Sequence, residues 1–357
     1  MFEDLIREWD GEEIIVRFDD QLDAWMLVGV HSTALGPAMG GTRMKAYEKP
    51  DAAMRDVLRL SGAMTLKNAA AGLPFGGGKA VLAVDAIPEG DDRRRLLDSY
   101  ADLLASLGGT YVTACDMNTT SADMDVIAER CSSVLGRSPG NGGSGSSAPA
   151  TATGVFHGIR ASLSHTGEDG LDGRTVVVQG AGAVGARLST LLSDAGASVL
   201  IADPVADRVR DVIERSGARE VAVTEAIGTP CDVFSPCATG AVLSEETIPR
   251  LQCRIVAGAA NNQLATEPDA DRLRLAGILY APDFVVNAGG VLSLAGLETL
   301  GWSEDELERR LRGIGDTLQK VLTAADEAGV STDAAARRLA EDRIASSRAR
   351  PAASAAT

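Results

Sequence analysis

The stretch 175–185, TVVVQGAGAVG, decides the fold of the second half of the chain. Its apolar run up to Gln179 predicts a buried strand, and Gly180, Gly182 and Gly185 follow as G-x-G-x-x-G. This spacing gives a tight turn, lets a backbone approach a pyrophosphate, and places a helix N-terminus against the phosphate charge. The stretch therefore predicts a dinucleotide-binding Rossmann unit, with an ordinary glycine-rich turn as the structural alternative.

The residues after this turn indicate which dinucleotide binds. A helix and a second apolar strand follow, and Asp203 ends that strand. A carboxylate here can bind ribose hydroxyls and repels a 2′-phosphate, so NAD is favoured. Residues 204–206 hold no arginine, although Arg208 lies further on and leaves NADP as an alternative. The expected cofactor contacts of this segment are Gly180, Ala181, Gly182, Ala183, Val184, Gly185 and Asp203.

Composition and charge exclude several classes of protein. The 357 residues are enough for two domains, and a net charge of −16 argues against nucleic acid or an anionic membrane as a partner. Five cysteines, without a CxxC pair, favour a reducing compartment and offer no zinc framework. The acidic N-terminus is unlike a signal peptide, and the most apolar long stretch, 285–301, is too interrupted to span a bilayer. These features predict a cytoplasmic protein.

Strand and helix patterns alternate along the first half, and a Gly/Ser-rich break at 136–148 predicts the passage to a second domain. The predicted elements are strands at 11–20 and 24–33, a loop at 34–43, a helix at 51–70 ending near Gly72, a loop at 73–78, a strand at 79–86, a helix at 91–109 and a strand at 111–116. After the Rossmann start, segments 231–238, 254–260 and 278–290 predict further strands that end in loops. The predicted fold is α/β with a substrate and oligomerisation domain (1–148), a Rossmann domain (149–325), and a C-terminal helix with a disordered tail (326–357).

Candidate chemistry lies in residues 66–81, LKNAAAGLPFGGGKAV. Lys67 falls in the last turn of the predicted helix, where the helix dipole favours a cation. Lys79 opens a strand after three glycines, which a fold keeps where a backbone passes close to something flat. Two lysines held close together in a dry cleft repel, so one can act as a base while the other binds a carboxylate. The alternative is a pair of solvated lysines that flank a turn.

A candidate acid, Asp116, ends the predicted strand at 111–116. An acid at the carboxyl end of an α/β strand points into the ligand crevice, although an Asx turn or a helix N-cap would also use it. His31, His157 and His165 all stand apart from the glycine-rich segments. A 2-hydroxy-acid dehydrogenase, which normally uses a histidine as its acid and base, is therefore disfavoured.

Together these motifs resemble the glutamate, leucine, phenylalanine and valine dehydrogenase family, and are most similar to its valine and leucine members. The motifs are GPAMGGTR (36–43), MTLKNAAAGLPFGGGKAV (64–81), GGTYVTACD (108–116), TATGVFHGIRA (151–161), GAGAVG (180–185), GAANNQLA (258–265) and ILYAPDFVVNAGGVL (278–292). The resemblance implies a homo-oligomeric, two-domain enzyme with its active site in the cleft between the domains. The implied reaction is the NAD-dependent, reversible conversion of an apolar, branched-chain-like L-amino acid to its 2-oxo acid and ammonia.

The resemblance also implies residue roles. Lys67 corresponds to the lysine that binds the substrate carboxylate, Lys79 to the lysine that activates water, and Asp116 to the acid that exchanges protons with the substrate nitrogen. Further substrate contacts are expected from Gly40, Gly41 and Asn261, with Asn262 as the alternative to Asn261. Further cofactor contacts are expected from Arg43, Thr151, Ala238 and Asn287.

The side-chain pocket implied by the resemblance is apolar, and is formed by Met39, Ala114, Val291 and Leu294. Glutamate-specific relatives carry a lysine at the position of Met39 and a serine at that of Leu294, and a γ-carboxylate would be unpaired without them. An apolar substrate follows, while its size stays open because one methylene is worth only about 1–3 kcal/mol. Unusual residues at 117–120 and 295–303 bear on the same question.

Two other functions stay open at this point. One is a non-catalytic sensor that binds NAD. The other is a different lysine/aspartate dehydrogenase, such as one acting on shikimate, which would lack the GGGK and LKNA motifs. The reductive direction of the same reaction would leave the site unchanged.

Overall fold

A computed structural model describes residues 2–168 and 170–348, so the predicted disordered tail lies outside the described residues. The described chain divides into two compact units. Unit 1 comprises the residues up to 146, residues 294–301 and those from 340 on, and unit 2 comprises residues 147–293 and 302–339. The sequence predicts the boundary after residue 148, two residues later than in the structure. It also predicts a separate C-terminal segment from residue 326, whereas in the structure this segment is divided between the two units at residue 340.

Unit 1 is built on a five-stranded mixed sheet in the order β1-β2-β4-β3-β5. Its strands are β1 (Glu13–Asp19), β2 (Ala24–Ser32), β3 (Ala38–Ala46), β4 (Gly76–Val84) and β5 (Tyr111–Cys115). Strand β2 is antiparallel to both of its neighbours, whereas β3 is parallel to β4 and β5. The helices of its first part are α1 (Phe2–Trp9), α2 (Pro50–Ala70), α3 (Gly90–Ser106) and α4 (Ser121–Ala128). The carboxyl ends of β3, β4 and β5 therefore share one edge of the sheet.

Two segments predicted as loops are strands instead. Most of the predicted loop at 34–43 belongs to β3, and the glycines before Lys79 belong to β4, whose residues are all buried. Glycine normally weakens strands, which is why these segments look like loops. A Cβ on Gly77 would lie 2.1 Å from the Thr65 nitrogen of α2, and one on Gly40 would lie 1.9 Å from the Gly78 oxygen. These glycines are therefore kept in strands, despite their low strand propensity, because helix α2 and the neighbouring strand leave no room for a side chain.

Helix α2, which carries Lys67, has both of its ends fixed. It begins with a proline in its first turn, and Gly72 follows its end with a φ of +68°, close to the predicted stop. The Arg343 guanidinium donates hydrogen bonds to the Ala69 and Ala70 carbonyls, at 2.8 and 2.5 Å. These bonds occupy carbonyls that have no partner inside the helix.

Unit 2 is built on a six-stranded parallel sheet in the order β11-β10-β9-β6-β7-β8. Its strands are β6 (Thr175–Gln179), β7 (Ser198–Ala202), β8 (Arg219–Glu220), β9 (Val233–Pro236), β10 (Ile255–Val256) and β11 (Leu279–Tyr280). Strands β7 and β8 are added on one side of β6, and β9, β10 and β11 on its other side, so the strand order reverses between β6 and β9. Doubly wound sheets bind ligands at the carboxyl ends of the strands at such a point. The predicted Rossmann unit is confirmed.

The remaining helices are α5 (Ala148–His165), α6 (Ala183–Asp194), α7 (Ala206–Ser216), α8 (Asp269–Leu275), α9 (Asp283–Val286), α10 (Gly289–Glu298), α11 (Glu304–Ala328) and α12 (Thr332–Arg348). The segment 278–290, predicted as a strand ending in a loop, pairs only at residues 279–280 and then turns into α9 and α10. Its apolar run was too uniform to distinguish a strand from a buried helix. No helix within the described ranges has the length and apolar composition needed to cross a membrane.

Candidate active site

A buried ion pair joins Lys79 of β4 to Asp116, which follows β5. The Lys79 Nζ lies 3.0 Å from the Asp116 Oδ2, and Lys79 is only 5% exposed. The alternative of a solvated lysine is therefore wrong for Lys79. The helix-cap alternative for Asp116 is wrong as well, because Thr120 caps α4 and forms a capping box with Asp123.

Arg43 of β3 is the second cation that contacts Asp116. Its Nε donates to Asp116 Oδ2 at 3.0 Å, and its Nη1 donates to Asp56 Oδ2 at 2.8 Å. The Tyr47 hydroxyl donates to the same Asp56 oxygen at 2.7 Å. The guanidinium expected at the cofactor is thus engaged by two carboxylates of unit 1. The sequence gives no signal for this network, because Asp56 is one of several acids on α2.

The electrostatics of Asp116 follow from these neighbours. Burial alone would raise the pKa of its carboxyl, but the positive charges of Lys79 and Arg43, and their hydrogen bonds, lower that pKa from 3.8 to about 2. Asp116 is therefore a carboxylate at neutral pH. The charge in direct contact with Lys79 is this carboxylate.

The predicted glycines of β3 make room for this pair. A Cβ on Gly41 would lie 2.9 Å from the Asp116 Cβ and 2.6 Å from the Cys115 carbonyl oxygen. The Tyr111 hydroxyl donates to the Gly40 carbonyl at 2.6 Å, and its ring covers the position where Gly78 would carry a Cβ. The flat group expected beside the three glycines is thus, in part, this buried ring.

Lys67 lies half-buried in the last turn of α2, as predicted. The neighbouring Asn68 fixes that turn to the sheet, because its Nδ2 donates to the carbonyls of Met39 and Gly76 at 3.2 and 2.6 Å. Sequence reasoning missed Asn68, although it stands inside the LKNA motif.

Three of the predicted pocket residues, Met39, Ala114 and Leu294, are buried apolar residues of unit 1. The Leu294 side chain faces Gly136, where a Cβ would lie 3.6 Å from both its Cδ2 and the Cys115 Sγ. Val291 lies half-buried on α10 within unit 2.

The glycine turn and Asp203 meet in unit 2, as expected for a dinucleotide site. Asp203 Oδ2 accepts a hydrogen bond from the Ala181 backbone N–H at 2.8 Å. Gly180 has a φ of +112°, and a Cβ there would lie 3.0 Å from Ala238. A Cβ on Gly182 would meet nothing within 4 Å, so the turn leaves open space beside the start of α6. That space at a helix N-terminus fits a pyrophosphate. Ala183 and Val184 form the first turn of α6.

A second group of predicted residues meets around Asn287. The Asn287 Nδ2 donates to the Ala259 carbonyl and to the Asn261 Oδ1, both at 3.1 Å, which places Asn261 rather than Asn262 beside it. The Asn287 Oδ1 is buried without a hydrogen-bond partner among the described residues. A buried acceptor without a partner is costly, and a bound carboxamide could satisfy it. Thr151 lies in the first turn of α5, close to Gly290.

Two family models match the chain. Glu/Leu/Phe/Val dehydrogenase, dimerisation domain, matches residues 16–133, and Glutamate/Leucine/Phenylalanine/Valine dehydrogenase matches residues 142–204 and 205–350. This chain belongs to that family of dehydrogenases. The resemblance drawn from the motifs is thereby confirmed. The chain is an amino-acid dehydrogenase, an enzyme that uses a nicotinamide cofactor, and the sensor and shikimate-type alternatives lose their support.

Individual relatives agree with this membership over nearly the whole chain. A valine dehydrogenase of Streptomyces albus is 45% identical and covers 95% of this chain and 94% of its own. A leucine dehydrogenase of Bacillus cereus is 40% identical, covering 96% and 93%. The crystal structure of an L-tryptophan dehydrogenase from Nostoc punctiforme superposes with a TM-score of 0.82 at 38% identity, covering 98% and 99%.

Proposed function

We propose that this dehydrogenase oxidatively deaminates an apolar, branched-chain-like L-amino acid to its 2-oxo acid and ammonia, with NAD as the acceptor. The observation that carries the proposal is the buried contact between Lys79 and Asp116, at 3.0 Å. It puts a potential base and a carboxylate side by side, which is what a reaction needs when it moves protons to and from both a water and an amine.

Unit 2 would hold the cofactor. The open space at Gly182 suits the pyrophosphate, Asp203 suits the ribose hydroxyls, and Asn287 Oδ1 can accept from a carboxamide. When bound, the nicotinamide accepts a hydride from the substrate Cα. The Asp203 carboxylate would lie close to a 2′-phosphate and repel it, which supports NAD over NADP.

Unit 1 would supply the acid–base chemistry. Both Arg43 and Lys79 contact Asp116 Oδ2, so Oδ1 is the oxygen available to the substrate ammonium. Asp116 takes a proton from that ammonium, and loss of hydride from Cα leaves an iminium. Lys79, in its amine form, takes a proton from the water that adds to the iminium carbon and passes it to solvent. Asp116 returns its proton to the nitrogen, and Lys79 takes the proton of the new hydroxyl as ammonia leaves and the 2-oxo acid forms. Lys67 would bind the substrate carboxylate.

The substrate side chain would lie against Met39, Ala114 and Leu294 of unit 1, none of which can pair with a carboxylate. A glutamate side chain there would lose its hydration without a partner. We also propose that the enzyme is a cytoplasmic homo-oligomer, which agrees with the dimerisation domain named in the first family model.

Substrate profiling tests the proposal. Purified protein is mixed at alkaline pH with NAD or NADP and with L-leucine, L-valine, L-isoleucine, L-tryptophan or L-glutamate, and formation of the reduced nucleotide is followed by absorbance. We expect NADH from the branched-chain substrates, and a kcat/KM for glutamate lower by about 100-fold or more, because its carboxylate would be buried unpaired. Folded protein that is silent with every apolar amino acid, or that prefers glutamate, would contradict the proposal.

A further inference from the structure

Asp116 is held by a chain of charged groups that extends well beyond its contact with Lys79. Arg43 bridges two carboxylates, since its Nε donates to Asp116 and its Nη1 to Asp56. Asp56 is in turn held by the Tyr47 hydroxyl and by the Arg59 guanidinium, at 2.7 and 2.9 Å. The side chains of Arg43 and Asp56 are only 15% and 14% exposed. Water therefore screens this network weakly.

The geometry of this network constrains the Asp116 carboxylate. Two separate cations, from β3 and β4, bind the same oxygen, Oδ2. These two contacts on one oxygen restrain the rotation of the carboxylate group. The position of the Arg43 guanidinium is itself restrained, because its Nη1 is bound by Asp56 on α2.

We propose that Arg43, anchored by Asp56, is a positioning residue that favours the ionised form of Asp116 and orients its carboxylate for the substrate amine, rather than a contact of the cofactor. This inference rests on the proposed function for the role of Asp116. The groups facing Asp116 are Arg43 from β3, Lys79 from β4 and the Tyr111 phenol from β5, with Asp56 beyond Arg43. Of these, the two cations favour the carboxylate.

The test replaces Arg43 by glutamine and by lysine. Loss of a charge in contact with a buried carboxylate should raise the pKa of the Asp116 carboxyl by about one to two units in Arg43→Gln. Arg43→Lys should restore part of this shift, since it keeps the charge but loses the two-ended contact. NADH affinity, measured by fluorescence titration, should stay within about two-fold of wild type. Arg55→Gln, an exposed neighbour on α2, is the matched control.

The outcomes separate this inference from the proposed function. The Asp116 carboxyl can be titrated in the free protein by ¹³C NMR with labelled aspartate, its signal being assigned from its absence in Asp116→Asn, so this readout needs no turnover. An unchanged titration of Asp116 in Arg43→Gln, or a tenfold loss of NADH affinity with no other effect, overturns the inference. A wild-type protein without amino-acid oxidation overturns the proposed function, while the titration still decides the role of Arg43.

A separate feature of unit 2 is a pair of cysteines that sequence spacing does not reveal. Cys231 and Cys253 each lie two residues before a strand, and those strands, β9 and β10, are parallel neighbours in which Val233 pairs with Ile255. The Cys231 N–H donates to the Gln252 carbonyl at 3.1 Å, so the pairing extends back to the cysteines. Both side chains pack against the same apolar cluster, and both thiols are free.

The register places the two thiols on neighbouring strands, and they differ in acidity. Hydrogen bonding with Cys253, together with burial, raises the pKa of the Cys231 thiol, whereas hydrogen bonding with Cys231 lowers the pKa of the Cys253 thiol. Both side chains keep partial exposure to solvent. A thiolate-forming cysteine beside a second thiol is the arrangement found at redox-active pairs.

We infer that Cys231 and Cys253 form a redox-active pair that a small disulfide oxidant converts to an intramolecular disulfide. The Cys253 thiolate attacks one sulfur of the oxidant, forming a mixed disulfide and releasing one thiolate. Cys231 then loses its proton and attacks the Cys253 sulfur, which closes the internal disulfide and releases the second thiolate. Two protein thiols are oxidised and the oxidant is reduced to two thiols.

Oxidised glutathione is the probe for this pair. After treatment, the five free thiols should fall to three, and tryptic mapping should find residues 251–254 linked to residues 220–250. Because the second peptide also holds Cys237, Cys237→Ser must retain the link while Cys231→Ser loses it. Cys115→Ser, in unit 1, is the control. Five remaining thiols, a stable glutathione adduct without a link, or a link that persists in Cys231→Ser overturns the inference.

Discussion

Replacing Lys79 by methionine removes the proposed base while nearly preserving side-chain volume. Lys79 is 5% exposed, and its Nζ lies 3.0 Å from Asp116, so water cannot readily take the place of the lost ammonium. General base catalysis contributes about 10²–10⁴-fold, and one preorganised electrostatic donor about 10²–10³-fold. Because the Lys79 Nζ would supply both the base catalysis and the electrostatic stabilisation, the two rate factors are not simply multiplied. We expect kcat to fall by about a thousand-fold, which is about 4 kcal/mol of transition-state stabilisation.

The assay compares initial rates of NADH formation with the binding of NADH followed by fluorescence. Binding should stay within about two-fold of wild type, because the glycine turn belongs to unit 2 and Lys79 to unit 1. Lys320→Met, at an exposed position on α11, is the matched control and should be fully active. Lys79→Ala leaves room for a small primary amine, so added ethylamine should restore part of its turnover. A Lys79→Met enzyme with more than about a tenth of wild-type turnover would refute the reasoning.

The other predictions concern the nucleotide turn and Asp116. Gly182→Ala should keep the wild-type Tm, because its Cβ meets no atom of the folded chain, yet bind NADH at least about ten-fold more weakly, because the methyl occupies the pyrophosphate space. Gly185→Ala should lower the Tm, since its Cβ would lie 1.9 Å from the Gly180 oxygen and such overpacking costs about 1–3 kcal/mol; an unchanged Tm would show that the turn is not packed as described. Asp203→Ala should raise the ratio of NADP to NAD activity in steady-state kinetics, and a constant ratio would dissociate Asp203 from cofactor choice. The folded-state pKa of Asp116 is about 2, below its ordinary 3.8, so the stability it contributes is present above about pH 4 and is lost as the pH falls towards 2. The gap in urea midpoint between wild type and Asp116→Asn should therefore narrow below pH 4, and a gap that widens there would contradict the sign.

Local motifs allowed the nucleotide half of the site to be predicted from sequence. The turn at 180–185 and the acid at Asp203 lie where the spacing placed them, because a βαβ unit of fixed geometry dictates both positions. Asp116 was also predicted from sequence, since it ends a short predicted strand. The helix carrying Lys67 was predicted within one residue.

What sequence could not supply depends on packing between distant segments. The sequence of strand β3 is typical of a loop because Gly40 and Gly41 lower strand propensity, and only the closeness of the Gly78 and Cys115 carbonyl oxygens explains these glycines. The contact between Arg43 and Asp56 joins a strand to a helix, and no periodicity relates the two. The cysteine pair arises from the register of β9 and β10, which local sequence does not define.

Following the hydrogen on the substrate Cα tests most directly whether this enzyme oxidises an amino acid. L-Leucine deuterated at Cα is incubated with NAD and the enzyme, and the products are analysed by mass spectrometry. Our account predicts NADH that carries one deuterium, together with equal amounts of 2-oxo acid and ammonia, and none of these products from Lys79→Met on the same timescale. Unlabelled NADH, or a 2-oxo acid formed without ammonia, would contradict it.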